Sequence, residues 1–225
     1  MEILAGIDEA GRGALAGPVF AGACVITSSL TQKEKPFRHW VPKDRSKKSC
    51  MIADSKKLSA DEREEAFRWI SENCSYGIGS AEASDIDTLG ILGATEKAMQ
   101  RALSALQKIV MPTYLLIDGR DHFWFDIPKS SVIRGDSLEP TIAAASILAK
   151  VSRDRWMTNV DTQFPEYGFA MHKGYGTPEH TEAIRTHSTC ALHRQSFLKN
   201  VLGRRITPPL HHALPSTSRG ESRRG

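Results

Sequence analysis

Apolar positions along the chain form short runs near its start, then alternate between helical stripes and short runs further on. Ile3 to Asp8 reads as a short buried strand, and Val19 to Ile26, rich in small and β-branched residues, as a second. The segment between them, Glu-Ala-Gly-Arg-Gly-Ala-Leu-Ala-Gly-Pro, is too short for a helical crossover, so the two strands are expected to be antiparallel neighbours. Thr27 to Ala53 reads as a polar connection carrying Lys43, Arg45, Lys47 and Lys48. Ser59-Ala-Asp-Glu62 has the form of a capping box and predicts a helix that buries Ala66, Phe67 and Ile70. Tyr76 to Ala83 reads as a third strand containing glycines.

The clearest amphipathic helix runs from Ala94 to Val110. Ala94, Ala98, Ala102 or Leu103, Leu106 and Val110 recur at helical spacing, with Lys97, Gln100, Arg101 and Lys108 outside the stripe. Pro112 ends it. Tyr114 to Ile117 is a compact strand leading into Asp118-Gly119, and Ser131 to Ile133 another, leading into Arg134-Gly-Asp136. Pro140 marks the start of a long helix from Thr141 to about Val160. A shorter one is expected over Pro178 to His187. From Thr207 onward Pro, Ser, His, Gly and Arg dominate without apolar periodicity, so residues 207–225 read as a disordered tail. Strands clustered first and then alternating with helices predict the α/β class, a mixed sheet with helices on its faces.

Composition narrows this only slightly. The 225 residues fit one substantial domain plus an appendage, and 40% hydrophobic with 25% charged residues is the balance of a soluble globular protein. Lys and Arg number 30 against 26 Asp and Glu, and the resulting +4 suits a phosphate-bearing partner without demanding one. Cys24, Cys50, Cys74 and Cys190 show no CxxC pairing, which argues against a zinc site or redox pair and suits a reducing cytosol. Charged residues follow the N-terminal Met-Glu-Ile-Leu-Ala-Gly directly, unlike a signal peptide. The most apolar run, Ile142 to Ala149, is far shorter than the ~20 residues that span a bilayer. A cytoplasmic, monomeric protein with no membrane contact is expected.

Four acids stand out by position. Asp8 and Glu9 leave the first strand, Asp118 leaves the strand Tyr-Leu-Leu-Ile, and Asp136 lies between a strand and the long helix. If the strands carrying Asp8 and Asp118 are parallel neighbours, these carboxylates meet at the sheet edge where ligands of open α/β folds usually bind. Clustered carboxylates repel one another and need a cation to stay ionised together. All-oxygen sites suit Mg²⁺ or Mn²⁺, and two such ions are an established device for phosphodiester hydrolysis. An Asp after a strand is also a common turn or cap residue, and position alone does not separate the two readings. Gly11-Arg12-Gly13 reads equally as a tight turn or as a bare backbone that approaches a nucleic-acid sugar, with Arg12 on phosphate. Asp54-Ser-Lys-Lys57 is either a solvated approach to the capping box or a phosphate contact. The histidines show no metal-binding spacing, and Cys24 reads as a core residue.

Longer segments resemble a known family. Gly6-Ile-Asp-Glu-Ala-Gly-Arg-Gly-Ala-Leu-Ala-Gly-Pro-Val19 is similar to the opening signature of ribonuclease HII. The series continues in order through Asp54-Ser-Lys-Lys-Leu58, Leu116-Ile-Asp-Gly119, Gly135-Asp-Ser137, the run Ala143 to Asp154, Tyr167-Gly-Phe, His172-Lys-Gly-Tyr-Gly-Thr177 and His193-Arg-Gln-Ser-Phe197. The resemblance implies a ribonuclease H-like fold: a five-stranded mixed sheet with its second strand antiparallel, flanked by helices, with a helical C-terminal part, all within residues 1–206. It implies an endonuclease that cuts the RNA of RNA/DNA hybrids and incises 5′ of single ribonucleotides in duplex DNA. Two divalent ions, Mg²⁺ or Mn²⁺, would be held by Asp8, Glu9, Asp118 and Asp136, leaving 5′-phosphate and 3′-hydroxyl ends. It further implies that Gly11, Arg12 and Gly13 recognise the ribose 2′-hydroxyl and that Tyr175 stacks on the sugar beyond the junction. Ser55 and Lys56 would contact the substrate, and a sliding-clamp contact stays open.

Ala14 stands where the family usually has proline, and Arg134 where it usually has lysine. The connection over Thr27 to Ala53 is longer than typical. The related ribonuclease HIII carries an extra N-terminal domain, and with a first strand beginning at Ile3 none is expected here. A hybrid-binding module without catalysis would have no reason to hold four acids beside phosphates unless a metal intervened.

Overall fold

Side chains alternate across the two faces of a strand, and in the first two strands this alternation sets up two separate packing layers. The computed structural model describes residues 2–33, 38–43 and 50–198. The expected tail, the 206 boundary, and Arg45, Lys47 and Lys48 of the basic connection lie outside the described residues. Strands β1 (Leu4–Ala10) and β2 (Val19–Ile26) pair antiparallel, as their short connection requires. A hairpin of β3 (Leu30–Lys33) and β4 (His39–Pro42) follows, then α1 (Ala60–Asn73), β5 (Cys74–Ala81) and α2 (Ala83–Gln107). Next come β6 (Tyr114–Asp118), β7 (Lys129–Val132), α3 (Gly135–Leu138) and α4 (Pro140–Asp161). A 3₁₀ turn (Pro165–Tyr167), α5 (Phe169–His172), α6 (Pro178–His187) and α7 (Gln195–Leu198) form the helical C-terminal part.

Five strands make one mixed sheet in the order β5-β2-β1-β6-β7. β1 pairs parallel with β6, β6 parallel with β7, and β2 antiparallel with both β1 and β5, so β2 alone runs against the rest. Ala5, Ile7, Val19, Ala21, Ala23, Leu115 and Ile117 face α2 and bury its stripe Ala94, Ala98, Ala102 and Leu106. The opposite face meets α4 and α1. There Gly6 and Gly22 leave room for helix backbone: a Cβ on Gly6 would lie 2.2 Å from the Thr141 carbonyl carbon, and one on Gly22 2.4 Å from the Ala145 oxygen. α4 therefore lies directly on the centre of the sheet. A third cluster, built from Leu15, Ala16, Met157, Val160 and the aromatic residues of the C-terminal part, closes the end of α4.

The capping box holds: the Glu62 amide donates to Ser59 Oγ at 3.3 Å and the Ser59 amide to Glu62 Oε2 at 2.7 Å. β1 and β7 are displaced by one or two residues from the sequence reading, at Leu4–Ala10 and Lys129–Val132, and three elements show other departures. β5 begins at Cys74 rather than Tyr76, because its pairing with β2 runs to the Ile26–Cys74 pair. α2 begins at Ala83 rather than Ala94 and is interrupted at Gly90, where φ is 71°. The connection after Thr27 is not merely polar: it holds the β3–β4 hairpin, and Trp40, Cys50, Ile52 and Ala53 are buried against α1 and α4. Trp40 and Ile52 exchange backbone hydrogen bonds at 2.9 Å in both directions, which fixes the returning chain beneath the hairpin. Trp40→Ala should accordingly destabilise the protein by about 3–5 kcal/mol, the usual cost of emptying a buried aromatic site. Urea unfolding measures it, and a change near zero would show that the hairpin is peripheral.

Candidate active site

The parallel pairing of β1 and β6 carries the register Gly6–Leu116 and Ile7–Ile117 to the strand ends, where Asp8 and Asp118 come side by side. Alternation settles which way each acid points. Ile7 and Ile117 belong to the α2 face, so Asp8 and Asp118 turn to the α4 face, while Glu9 turns the other way. α3 begins immediately beyond β7 and delivers Asp136 to the same place. One carboxylate oxygen each from Asp8, Asp118 and Asp136 lie within 4.8 Å of one another. Asp118 Oδ1 accepts from the Gly135 amide at 2.7 Å and from the Asp136 amide at 3.4 Å, which ties β6 to the start of α3.

Asp8 and Asp136 are only 4% and 6% exposed, so both carboxylates have given up most of their hydration. Burial, and after it the charges of Glu9 and Asp118, push the Asp8 carboxyl well above the usual range. The Glu9 amide, 2.7 Å from Asp8 Oδ1, and the Ser146 hydroxyl work against that rise. Asp136 is raised by burial and by Asp54 and Asp118. The Lys56 ammonium stands 3.7 Å from Asp136 Oδ2 and offsets part of this charge. Three crowded carboxylates, two of them buried, fit a divalent cation bound through oxygen, which would satisfy all of them at once.

Glu9 is placed apart from that trio. Its Oε1 lies 3.2 Å from Arg12 Nη1, and the same nitrogen lies 2.8 Å from Asp121 Oδ2. Burial raises the Glu9 carboxyl while the Arg12 charge lowers it. Gly11 adopts φ 95°, and the Ala14 amide closes the turn on the Gly11 carbonyl at 3.3 Å. Gly13 is exposed and has open space where a Cβ would be. Tyr175 lies beside this turn through its neighbour: the Gly174 carbonyl accepts from Leu15 N at 2.8 Å and Ala16 N at 3.2 Å.

Ser55 departs from the sequence reading. Its hydroxyl is buried against Ser146 Oγ at 2.9 Å, so the side chain faces inward rather than towards a phosphate. With Ser146 donating to Asp8, Ser55 can complete a relay to the acid. Ser146 and Asp121 were missed by sequence reasoning, and Asp54 was read only as part of the Asp54–Lys57 segment, not as a neighbour of Asp136. The signal for Asp121 was faint, a second acid three residues after Asp118; Ser146 sits in an apolar helical run and gave none.

The family model described as Ribonuclease HII matches residues 5–200. The chain belongs to the ribonuclease HII family. A ribonuclease HII of Desulfitobacterium hafniense is 47% identical over 195 residues, 86% of this chain and 68% of the relative. One of Clostridioides difficile is 46% identical over 200 residues, 88% and 71% of the two chains. Among solved structures, the ribonuclease H2 of Pyrococcus horikoshii OT3 superposes with a TM-score of 0.64 at 21% identity, covering 88% of this chain and 96% of that one. The ribonuclease HII in the PCNA complex from Archaeoglobus fulgidus gives 0.61 at 22% identity, covering 86% and 94%. These two likenesses establish the ribonuclease H-like fold. The protein is a ribonuclease H-family hydrolase, and its family acts as an endonuclease on the RNA of RNA/DNA hybrids.

The raised Asp8 carboxyl has a measurable consequence. Between its unfolded value, near 3.8, and its higher folded value the native state binds more protons than the unfolded chain, so metal-free stability falls as pH rises through that window. The acid at position 8 is therefore a cost to folding at every pH above the unfolded value. Asp8→Asn should raise the melting temperature of the metal-free protein at pH 7, flatten its decline as pH rises above about 4, and abolish most stabilisation by added Mg²⁺ or Mn²⁺. Differential scanning calorimetry in a chelator, then with metal, tests this; a variant less stable than wild type at pH 7 would contradict the electrostatic account.

Proposed function

We propose that the protein incises 5′ of single ribonucleotides embedded in duplex DNA as well as within RNA/DNA hybrids, leaving 5′-phosphate and 3′-hydroxyl ends. The observation that carries this reading is the convergence of Asp8, Asp118 and Asp136, the first and last of them buried, beside the Gly11–Gly13 turn and Tyr175. Asp8, Asp118 and Asp136 would hold two divalent cations, Mg²⁺ or Mn²⁺, with Glu9 joining once Arg12 turns to a phosphate. Bound there, the cations supply activation of the attacking water and stabilisation of the leaving 3′ oxygen.

The chain's own residues do the rest. The exposed Gly13 lets backbone approach a 2′-hydroxyl, the group that distinguishes RNA from DNA, while Gly11, buried with φ 95°, sets the shape of the turn. Arg12, held between Glu9 and Asp121, is half-exposed and can contribute its charge to a phosphate. Lys56 lies next to Asp136, where an ammonium can meet a phosphate oxygen. Ser55 supports Asp8 through Ser146. Tyr175 registers the following sugar, so that the junction and not merely the ribose is read. No described helix is long and apolar enough to cross a membrane, in keeping with a cytoplasmic enzyme. The archaeal neighbour was solved with a sliding clamp, and a similar contact here would place the enzyme at replicated DNA.

A labelled duplex with one embedded ribonucleotide tests the reading, and the cut should map to its 5′ side. Asp118→Asn should lower Mg²⁺-dependent cleavage of both this duplex and a continuous hybrid by about two to four orders of magnitude while leaving the fold intact, because a lost ligand disrupts both roles of the metal site. Tyr175→Ala should depress incision at the lone ribonucleotide far more than cleavage of the hybrid, and metal-induced stabilisation should persist. A wild-type enzyme that cuts hybrids but ignores the lone ribonucleotide would refute the junction reading.

A further inference from the structure

Two arginines are entirely buried, an unusual place for a charge. Arg153 of α4 and Arg194, just before α7, are both 0% exposed. Their hydrogen bonds run to backbone carbonyls in loops distant from them in sequence. Arg153 donates from Nε to Pro18 at 3.0 Å, from Nη2 to Ala16 at 3.1 Å and from Nη1 to Lys173 at 2.9 Å. Arg194 donates from Nε to Gly17 at 2.8 Å and from Nη1 to Arg12 at 2.9 Å, while its Nη2 is buried without a partner. Burial and the nearby Arg153 charge push Arg194 down to about 9, so it stays protonated at neutral pH.

The acceptors divide into two groups. Arg12, Ala16, Gly17 and Pro18 belong to the turn between β1 and β2; Lys173 belongs to the segment that carries Tyr175. Arg153 bridges both, and its guanidinium carbon lies 5.2 Å from the Tyr175 ring centroid. Gly11 packs on the same group: a Cβ there would be 2.0 Å from Arg153 Nε. A second chain of bonds supports the Tyr175 side. The Cys190 amide donates to His193 Nδ1 at 3.0 Å, which places the His193 proton on Nε2, 3.1 Å from His180 Nε2. His180 can then donate only from Nδ1, and it does so to the Tyr175 carbonyl at 2.9 Å. Burial pushes His180 down to about 4 and His193 to about 3, so both remain neutral and the bond directions stay fixed. His193 and Arg194 are consecutive, so one dipeptide braces both groups.

We propose that Arg153 and Arg194, with the His180–His193 pair, are positioning residues that fix the spacing between the Gly11–Gly13 turn and Tyr175, and thereby set the preference for a ribonucleotide-to-deoxyribonucleotide junction. The inference rests on the reading that the turn and Tyr175 recognise that junction. A planar guanidinium has five donors in a rigid fork and can hold diverging carbonyls together; lysine keeps the charge on a single nitrogen and cannot. Burying such a group is costly, and its return is a fixed distance between two loops that no local interaction would hold.

The experiment compares kcat/KM for the lone-ribonucleotide duplex and a continuous hybrid, in Mg²⁺, for wild type, R153K and R194K. Activity on the lone ribonucleotide should fall about 100-fold, as expected for a displacement near 1 Å. Activity on the hybrid, which offers many ribose positions, should fall much less, and metal-induced stabilisation should persist. In a Tyr175→Ala background R153K should add little further loss on the lone ribonucleotide, because both changes disable the same reader. Equal losses on the two substrates, or full additivity with Tyr175→Ala, would overturn the positioning role. If both lysine variants fail to fold by circular dichroism, His180→Gln must reproduce the selective loss, and an unselective loss there overturns the proposal. A wild type that ignores the lone ribonucleotide overturns the junction reading and this inference with it. A wild type that incises it, with R153K keeping the wild-type ratio, overturns the positioning role alone.

Discussion

The mutual repulsion of three carboxylates is the constraint around which this structure is organised. Asp8, Asp118 and Asp136 are brought together by parallel pairing of β1 with β6 and by the immediate start of α3 beyond β7. None of those features could be relaxed without separating the acids. Hydrophobic burial on both faces of the sheet holds them in place: α2 covers one face, and α4 lies against Gly6 and Gly22 on the other. Folding energy gained elsewhere sustains a site that is unfavourable by itself until a cation arrives.

Alternation along β1 divides the chemistry between two sides of one strand end. Asp8 falls on the α4 face, buried in the crowded trio, and Ser146 of that helix reaches it. Glu9 falls on the opposite side, where Arg12 neutralises it and Asp121 shares the guanidinium. Adjacent acids in the sequence thus meet different electrostatic surroundings. Arg12 joins the two acids on that side through one guanidinium nitrogen, 3.2 Å from Glu9 and 2.8 Å from Asp121.

Much of this was legible in the sequence, for reasons that differ by element. β2 and α6 match their sequence-read limits, because a β-branched apolar run and a Thr-Pro helix start are strong local signals. The hairpin after Thr27 was not legible. Leu30-Thr-Gln-Lys is mostly polar, and Trp40 becomes a core residue only through contacts with α1 and α4. The first part of α2 was hidden by Ser84, Asp85, Asp87 and Gly90, none of them favourable in a helix interior. Carboxylates at strand ends are visible because strand ends are; that Glu9 would part from Asp8 followed from alternation but was not drawn from it. Arg153 and Arg194 fall in segments that resemble the family, but their burial could not be read. A charged residue is presumed solvated, and nothing near either arginine in sequence reveals the carbonyls of residues 12–18 that receive it.

The turn over those residues shows how a departure from the family pattern is accommodated. Proline is usual where Ala14 stands, and proline would fix φ while offering no amide proton. Ala14 supplies that proton to the Gly11 carbonyl at 3.3 Å, so a hydrogen bond holds the turn where a ring would otherwise restrict it. A single such bond contributes only about 1 kcal/mol net, too little to fix a loop alone. The bonds that Arg153 and Arg194 make to Arg12, Ala16, Gly17 and Pro18 add restraint to the same segment from beneath, and a Cβ at Gly11 would meet Arg153 itself. With the turn braced from the core side, the residue that begins its exit can be alanine without loss of shape. The rigidity of this turn therefore resides in the buried arginines more than in the turn's own sequence.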